Sequence, residues 1–178
     1  EKGELTDNTI VATVMSNLGF FLMGEKNGIH IEQTKVGDRY VLERMKEIGA
    51  SLGGEQSGHI IFLKENTTGD GLLSALHLLK VMVETGKPLS ELATVMEVLP
   101  QALVNAKVPN HKKEMYMEYP EIAEAIQKLT DKFAGEGRVL IRPSGTEPLV
   151  RVMIEGKDQQ MIDQEAKKLA ELIQNIML

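Results

Sequence analysis

The chain has 178 residues, 42% of them apolar and 26% charged, with a formal charge of −6 and no cysteine. That balance belongs to a folded globular protein; it excludes a disordered tail, a disulfide framework and a thiolate metal site. No apolar run approaches the roughly 18 residues of a bilayer span, the opening EKGELTDNT is unlike a signal peptide, and the acidic balance disfavours nucleic acid as a partner. The expectation is a cytoplasmic protein with neither a membrane nor a nucleic-acid partner.

Residues 9–15 are β-branched and apolar, the pattern of a buried strand. Residues 19–28 fit either a short helix or a loop. Residues 29–34 alternate at period two and read as a strand, and 35–38 read as its terminating loop. Within 40–48 the apolar positions Val41, Leu42, Met45 and Ile48 have helical spacing, closed by Gly49. A loop with three glycines follows at 51–59, then a buried strand at 60–63. The apolar run 72–83 predicts a helix with Asp70 near its N-cap and His77 on a core face. A shorter helix is expected over 88–96.

Pro100 and Pro109 bracket an extended stretch at 102–108, which runs into a polar Pro-Asn-His-Lys-Lys turn. A boundary near 98–101 divides the chain into 1–100, an α/β unit with a mixed sheet, and 101–178, a smaller α+β unit. The second unit is expected to hold helix 120–133, strand 138–142, strand 149–155 and helix 160–177. The methionines read as core filler. His30, His77 and His111 are too scattered for a metal site, and Thr68-Gly69-Asp70-Gly71 is too short for a calcium loop.

Three loops carry candidate chemistry. With only five arginines in the chain, Arg142 and Arg151 stand nine residues apart around Pro143-Ser144-Gly145-Thr146-Glu147-Pro148. Two guanidiniums, the hydroxyls of Ser144 and Thr146 and the backbone at Gly145 suit an anion such as phosphate; a hairpin turn with solvated arginines is the plain alternative. In Gly53-Gly54-Glu55-Gln56-Ser57-Gly58-His59, Glu55 and Ser57 suit sugar hydroxyls and His59 suits proton transfer near neutral pH, against a tight hairpin whose His59 caps a strand. In Lys35-Val36-Gly37-Asp38-Arg39, Asp38 as a helix cap competes with a role in binding.

Taken together, GGEQSGH, KVGDR and RPSGTEPLVR, in that separation, resemble the α-D-phosphohexomutase superfamily, on its phosphoglucosamine mutase branch. The resemblance spans essentially the whole chain and corresponds to the third and fourth of that family's four domains. It implies a sugar site at Gly37, Asp38, Arg39, Glu55, Ser57 and His59, with His59 near the reacting end and catalytic. It also implies a site for the non-reacting phosphate at Arg142, Ser144, Gly145, Thr146 and Arg151. The family's phosphoserine loop and its aspartate-rich Mg2+ loop are absent from this sequence. Mg2+ would therefore be bound outside this chain, no metal ligand is assigned within it, and the chain alone is expected to be inactive.

The implied parent interconverts glucosamine 6-phosphate and glucosamine 1-phosphate for amino-sugar nucleotide and cell-wall precursor synthesis. Its partners would be a hexosamine phosphate and the N-terminal domains of the same protein, and the initial Glu1 suits a fragment or cleaved product. Sequence does not assign an oligomeric state. Two other readings stay open here: a phosphomannomutase/phosphoglucomutase, and a non-catalytic sugar-phosphate-binding module.

Overall fold

A computed structural model describes residues 4–178, in two compact units, Glu1–Val98 and Leu99–Leu178. The first unit runs β1 (Thr9–Thr13), α1 (Leu18–Lys26), β2 (His30–Thr34), α2 (Asp38–Ile48), β3 (Leu52–Gly54), β4 (Ile60–Phe62), α3 (Gly71–Thr85) and α4 (Leu89–Leu92). Its sheet order is β2-β1-β3-β4, with β1 parallel to both neighbours and β4 an antiparallel edge. Successive residues of a strand face opposite sides. Val11 therefore packs with Val41 and Met45 of α2, while Ala12 packs with Phe21 of α1, and helices cover both faces.

The ambiguous segment 19–28 is helix α1. Asn17 caps it, its side-chain oxygen accepting from the Gly19 N–H at 3.0 Å. Its glycines lower helix propensity, which left the sequence undecided, and close packing explains them. A Cβ on Gly19 would lie 1.7 Å from the Glu97 carbonyl oxygen, and one on Gly24 would lie 2.9 Å from that of Ile29.

Four expectations are corrected in this unit. Asp38 is not the cap of α2: Gly37 occupies that position, and Asp38, one residue inside, accepts from the Arg39 N–H at 2.8 Å. The expected helix over 88–96 is a single turn, α4, followed by a 3-10 turn at Ala93–Val95. Helix α3, capped by Asp70, buries none of its residues. His77 stacks on Phe62 of β4, ring centroids 3.9 Å apart, and stays partly exposed. Leu72, Leu76, Leu79 and Val83, which share one helix face, are all more than half exposed. Composition showed α3 to be apolar but not which surface would cover it. Within 60–63, only Ile61 is buried, because an edge strand alternates its faces.

The second unit contains β5 (Gln101–Lys107), a 3-10 turn (Lys113–Glu118), α5 (Pro120–Phe133), β6 (Gly137–Pro143), β7 (Leu149–Gly156) and α6 (Gln159–Met177). Its antiparallel sheet has the order β5-β7-β6. Val150, Val152 and Ile154 of the central strand pack with Ile122 of α5 and with Ile162, Leu169 and Ile173 of α6. Arg151, Met153 and Glu155 alternate with them and face the other way. The 3-10 turn, which begins at the end of the polar Pro-Asn-His-Lys-Lys stretch, was unforeseen, and it buries Lys113. Methionine use is mixed, with Met45, Met153 and Met177 buried and Met117 and Met161 exposed.

Packing accounts for Gly53 and Gly54 of the GGEQSGH loop. A Cβ on Gly53 would meet Met45 Sδ at 2.5 Å and the Val11 carbonyl oxygen at 3.0 Å, and one on Gly54 would meet the His59 carbonyl oxygen at 2.7 Å. Gly53→Ala is expected to lower the stability of the first unit by about 1–3 kcal/mol, the usual cost of overpacking. Urea unfolding followed on first-unit amide resonances checks this; an unchanged midpoint contradicts the packing account.

Candidate functional site

In the second unit, strand register creates the charged centre. Arg142 of β6 and Arg151 of β7 are direct partners across the antiparallel pair. Like charges in that position repel. The Nε atoms of both are buried and have no hydrogen-bond partner. Burial first, and then the Arg151 charge, lower the Arg142 pKa from its ordinary value, although arginine stays cationic at any physiological pH. One charge is partly met: Arg151 Nη2 donates to Glu147 at 2.8 Å.

The loop joining the two strands is tied from within. The Ser144 N–H donates to the Leu149 carbonyl at 2.9 Å, and Ser144 Oγ accepts from the Glu147 N–H at 3.2 Å, a bond typical of serine in turns. Ser144 is buried, and its own hydroxyl proton remains available to donate. Gly145 is not in the left-handed region, so backbone conformation does not demand glycine there. The space at its Cβ position is open, since an added Cβ would meet nothing within 4 Å. Thr146 is exposed beside it.

In the first unit, the chain leaves the parallel strands β1, β2 and β3 at the same sheet end, into residues 14–17, 35–37 and 55–58. β2 and β3 lie on opposite sides of β1, and ligands of open α/β sheets bind where the strand order reverses in this way. The GGEQSGH segment forms a hairpin: the Glu55 N–H donates to the His59 carbonyl at 2.9 Å and the Gly58 N–H to the Glu55 carbonyl at 3.0 Å, with Gly58 at φ 94°. Glu55 Oε1 accepts from the Gly37 N–H at 2.8 Å, which joins the hairpin to the 35–38 loop. Gly37 has φ 135°, a conformation that favours glycine.

The sequence-selected residues of this unit separate accordingly. Gly37 and Glu55 are brought together, and Ser57 and His59 stay exposed on the hairpin, the His59 ring against Gly69. Arg39 is turned along its own helix, its Nε donating to Glu43 at 2.8 Å, an ion pair that raises its pKa. Ser16 and Asn17 were missed by sequence reasoning. They line, with Glu55 and Gln56, an otherwise largely apolar cavity of about 360 Å³. Their place just after the first strand and before a helix was the signal that pointed to them.

Two family models match this chain: "Phosphoglucomutase/phosphomannomutase, alpha/beta/alpha domain III" over residues 1–99 and "Phosphoglucomutase/phosphomannomutase, C-terminal domain" over 103–172. The chain belongs to the phosphoglucomutase/phosphomannomutase family. Among its relatives, the phosphoglucosamine mutase of Ruminiclostridium cellulolyticum is 63% identical and that of Acetivibrio thermocellus 60%, each over 98% of this chain. The chain spans 39% of the length of both. The structure of Aspergillus fumigatus N-acetylphosphoglucosamine mutase in complex with GlcNAc-6P and magnesium is similar in fold, with a TM-score of 0.79 at 20% identity over 96% of this chain and 39% of that one.

In this member of the phosphohexomutase family, Glu55 anchors a neighbouring loop as well as presenting a carboxylate. Glu55→Ala is expected to accelerate hydrogen exchange at the Gly37 amide while costing the unit about 1 kcal/mol, the worth of one hydrogen bond. Exchange measured residue by residue checks this. Unaltered protection at Gly37 contradicts the tie.

Proposed function

We propose that this chain is the substrate-recognition portion of a phosphoglucosamine mutase, with a sugar site in the first unit and a site for the non-transferred phosphate in the second. Arg142 and Arg151, held face to face with unpartnered Nε atoms, carry the reading. Such a pair is complementary to a dianion, whose oxygens accept charge-assisted bonds from both guanidiniums and relieve their repulsion. The high identity to named phosphoglucosamine mutases supports the choice of sugar.

On this reading Ser144, Gly145 and Thr146 complete the phosphate cradle, while Glu55 and Ser57 accept and donate to sugar hydroxyls. His59 stands at the reacting end, where imidazole can move a proton near neutral pH. The whole enzyme would interconvert glucosamine 6-phosphate and glucosamine 1-phosphate, with the remaining length of its relatives supplying the phosphoryl carrier. Magnesium would supply charge neutralisation in the transfer. Among the described residues no group of three His, Cys, Asp or Glu side chains is placed to hold a metal ion. The same residues contain no helix long and apolar enough to cross a membrane.

Two charge-assisted arginine contacts of roughly 1.5–3 kcal/mol each, less ordering costs, correspond to about millimolar affinity for the isolated site. Titration with inorganic phosphate or glucosamine 6-phosphate, followed on amide resonances, should shift residues 144–146 most, weaken with salt, and lose the response in Arg142→Ala. Shifts centred on 55–59, with 142–151 silent, would reverse the assignment of the two loops. Glu147 competes with the anion for Arg151. An exposed pair of this kind contributes little, so Glu147→Gln should tighten phosphate binding about two- to fivefold; a weakened affinity would count against the competition.

A further inference from the structure

Lys113 is a lysine that ordinary stability does not explain. It opens the 3-10 turn at Lys113–Glu118 and is only 8% exposed. Its Nζ donates to the Ser144 carbonyl and, at 3.4 Å, to that of Glu147. No carboxylate among the described residues pairs with it. Burying an ammonium on neutral carbonyls alone is costly, and a paired or ligand-held negative charge is the usual compensation. Three cationic side chains, Lys113, Arg142 and Arg151, thus converge on one loop, and among the described residues only Arg151 has a carboxylate against it.

Peptide geometry gives the lysine a second consequence. A trans peptide is planar, with C=O and N–H pointing opposite ways, and none of the described peptide bonds is cis. With the Ser144 carbonyl drawn toward Lys113, the N–H of the same peptide, that of Gly145, points away from it. At Gly145 itself an added Cβ would meet nothing within 4 Å. The turn is fixed separately from the loop, because Tyr116 Oη donates to the Ile141 carbonyl at 3.2 Å and Lys112 Nζ to that of Met177 at 3.1 Å.

We propose that Lys113 is a positioning residue of the phosphate site: its buried ammonium holds the Ser144 and Glu147 carbonyls beneath the loop, turns the Gly145 N–H toward the incoming phosphate, and adds an uncompensated positive charge under it. The inference rests on the phosphate reading of this loop. It adds to that reading a residue from outside the RPSGTEPLVR segment, and it accounts for a backbone donor at a position with no side chain to offer.

The test is titration of the 178-residue chain with inorganic phosphate, comparing wild type, Lys113→Met, Lys113→Arg and Lys112→Met. Lys112→Met removes the same charge one residue away, from a lysine bonded to the end of α6 and not to the loop. Lys113→Met is expected to weaken binding about tenfold and to abolish the Gly145 amide shift, the scale of one lost charge-assisted contact. Lys113→Arg should restore much of the affinity, and Lys112→Met should stay within about twofold of wild type. A folded Lys113→Met chain that binds phosphate like wild type overturns the inference and leaves the phosphate reading intact. Absence of any wild-type response at 142–151 overturns both. If Lys113→Met does not fold, the wild-type titration decides: Gly145 must be among the largest amide shifts, and a silent Gly145 beside responding Arg142 and Arg151 Nε–H signals overturns it.

Discussion

Two arginines forced into register across a single strand pair organise the second unit. Antiparallel pairing sets Arg142 opposite Arg151, and neither can move away without breaking the sheet that buries Val150, Val152 and Ile154. The repulsion is therefore held in place by hydrophobic packing on the other face of the same strand. A hydrophobic core of this size greatly outweighs one unfavourable pair, which lets the fold keep two poorly compensated cations at a loop. A ligand that neutralises them recovers what the fold forgoes. Functional sites commonly break a local rule in this way.

The first unit applies a different constraint to a similar end. Its three parallel strands release their loops at one sheet end, and the tie from Glu55 to Gly37 couples two of those loops. The glycines that precede Glu55 are dictated by α2 and by the hairpin backbone packed against them. A motif that reads as ligand-facing is therefore partly structural: close packing behind the loop sets its path, and only the residues from Glu55 onward are free to meet a ligand. α3 shows the opposite situation, an apolar helix face that its own unit does not bury.

Much of this was legible from residues alone. The strand at 29–34 and the helix at 40–48 announce themselves because burial on one side imposes a period of 2.0 or 3.6, and the strand at 9–15 by its unbroken β-branched, apolar run. The joint occurrence of GGEQSGH, KVGDR and RPSGTEPLVR in one order was enough to identify the family. What failed were short-range inferences about single residues. Asp38 resembles a cap, but Gly37 takes that position. His77 sits in an apolar run, yet lies at the margin. The two glycines of α1 obscured a helix that tertiary contact requires them to form.

The sequence by itself determined most of the longer elements and which loops carry polar and basic chemistry, because periodicity, turn residues and motif spacing are local properties. Only the tertiary structure decided that Arg142 and Arg151 are direct neighbours with unpartnered Nε atoms, that Glu55 reaches Gly37, and that Lys113, thirty-one residues from Ser144, lies under its carbonyl. These are consequences of strand register and of burial between segments distant along the chain. No pattern within a short window records them, since a buried ammonium and a solvated one are spelled with the same residue and differ only in what the fold places around them.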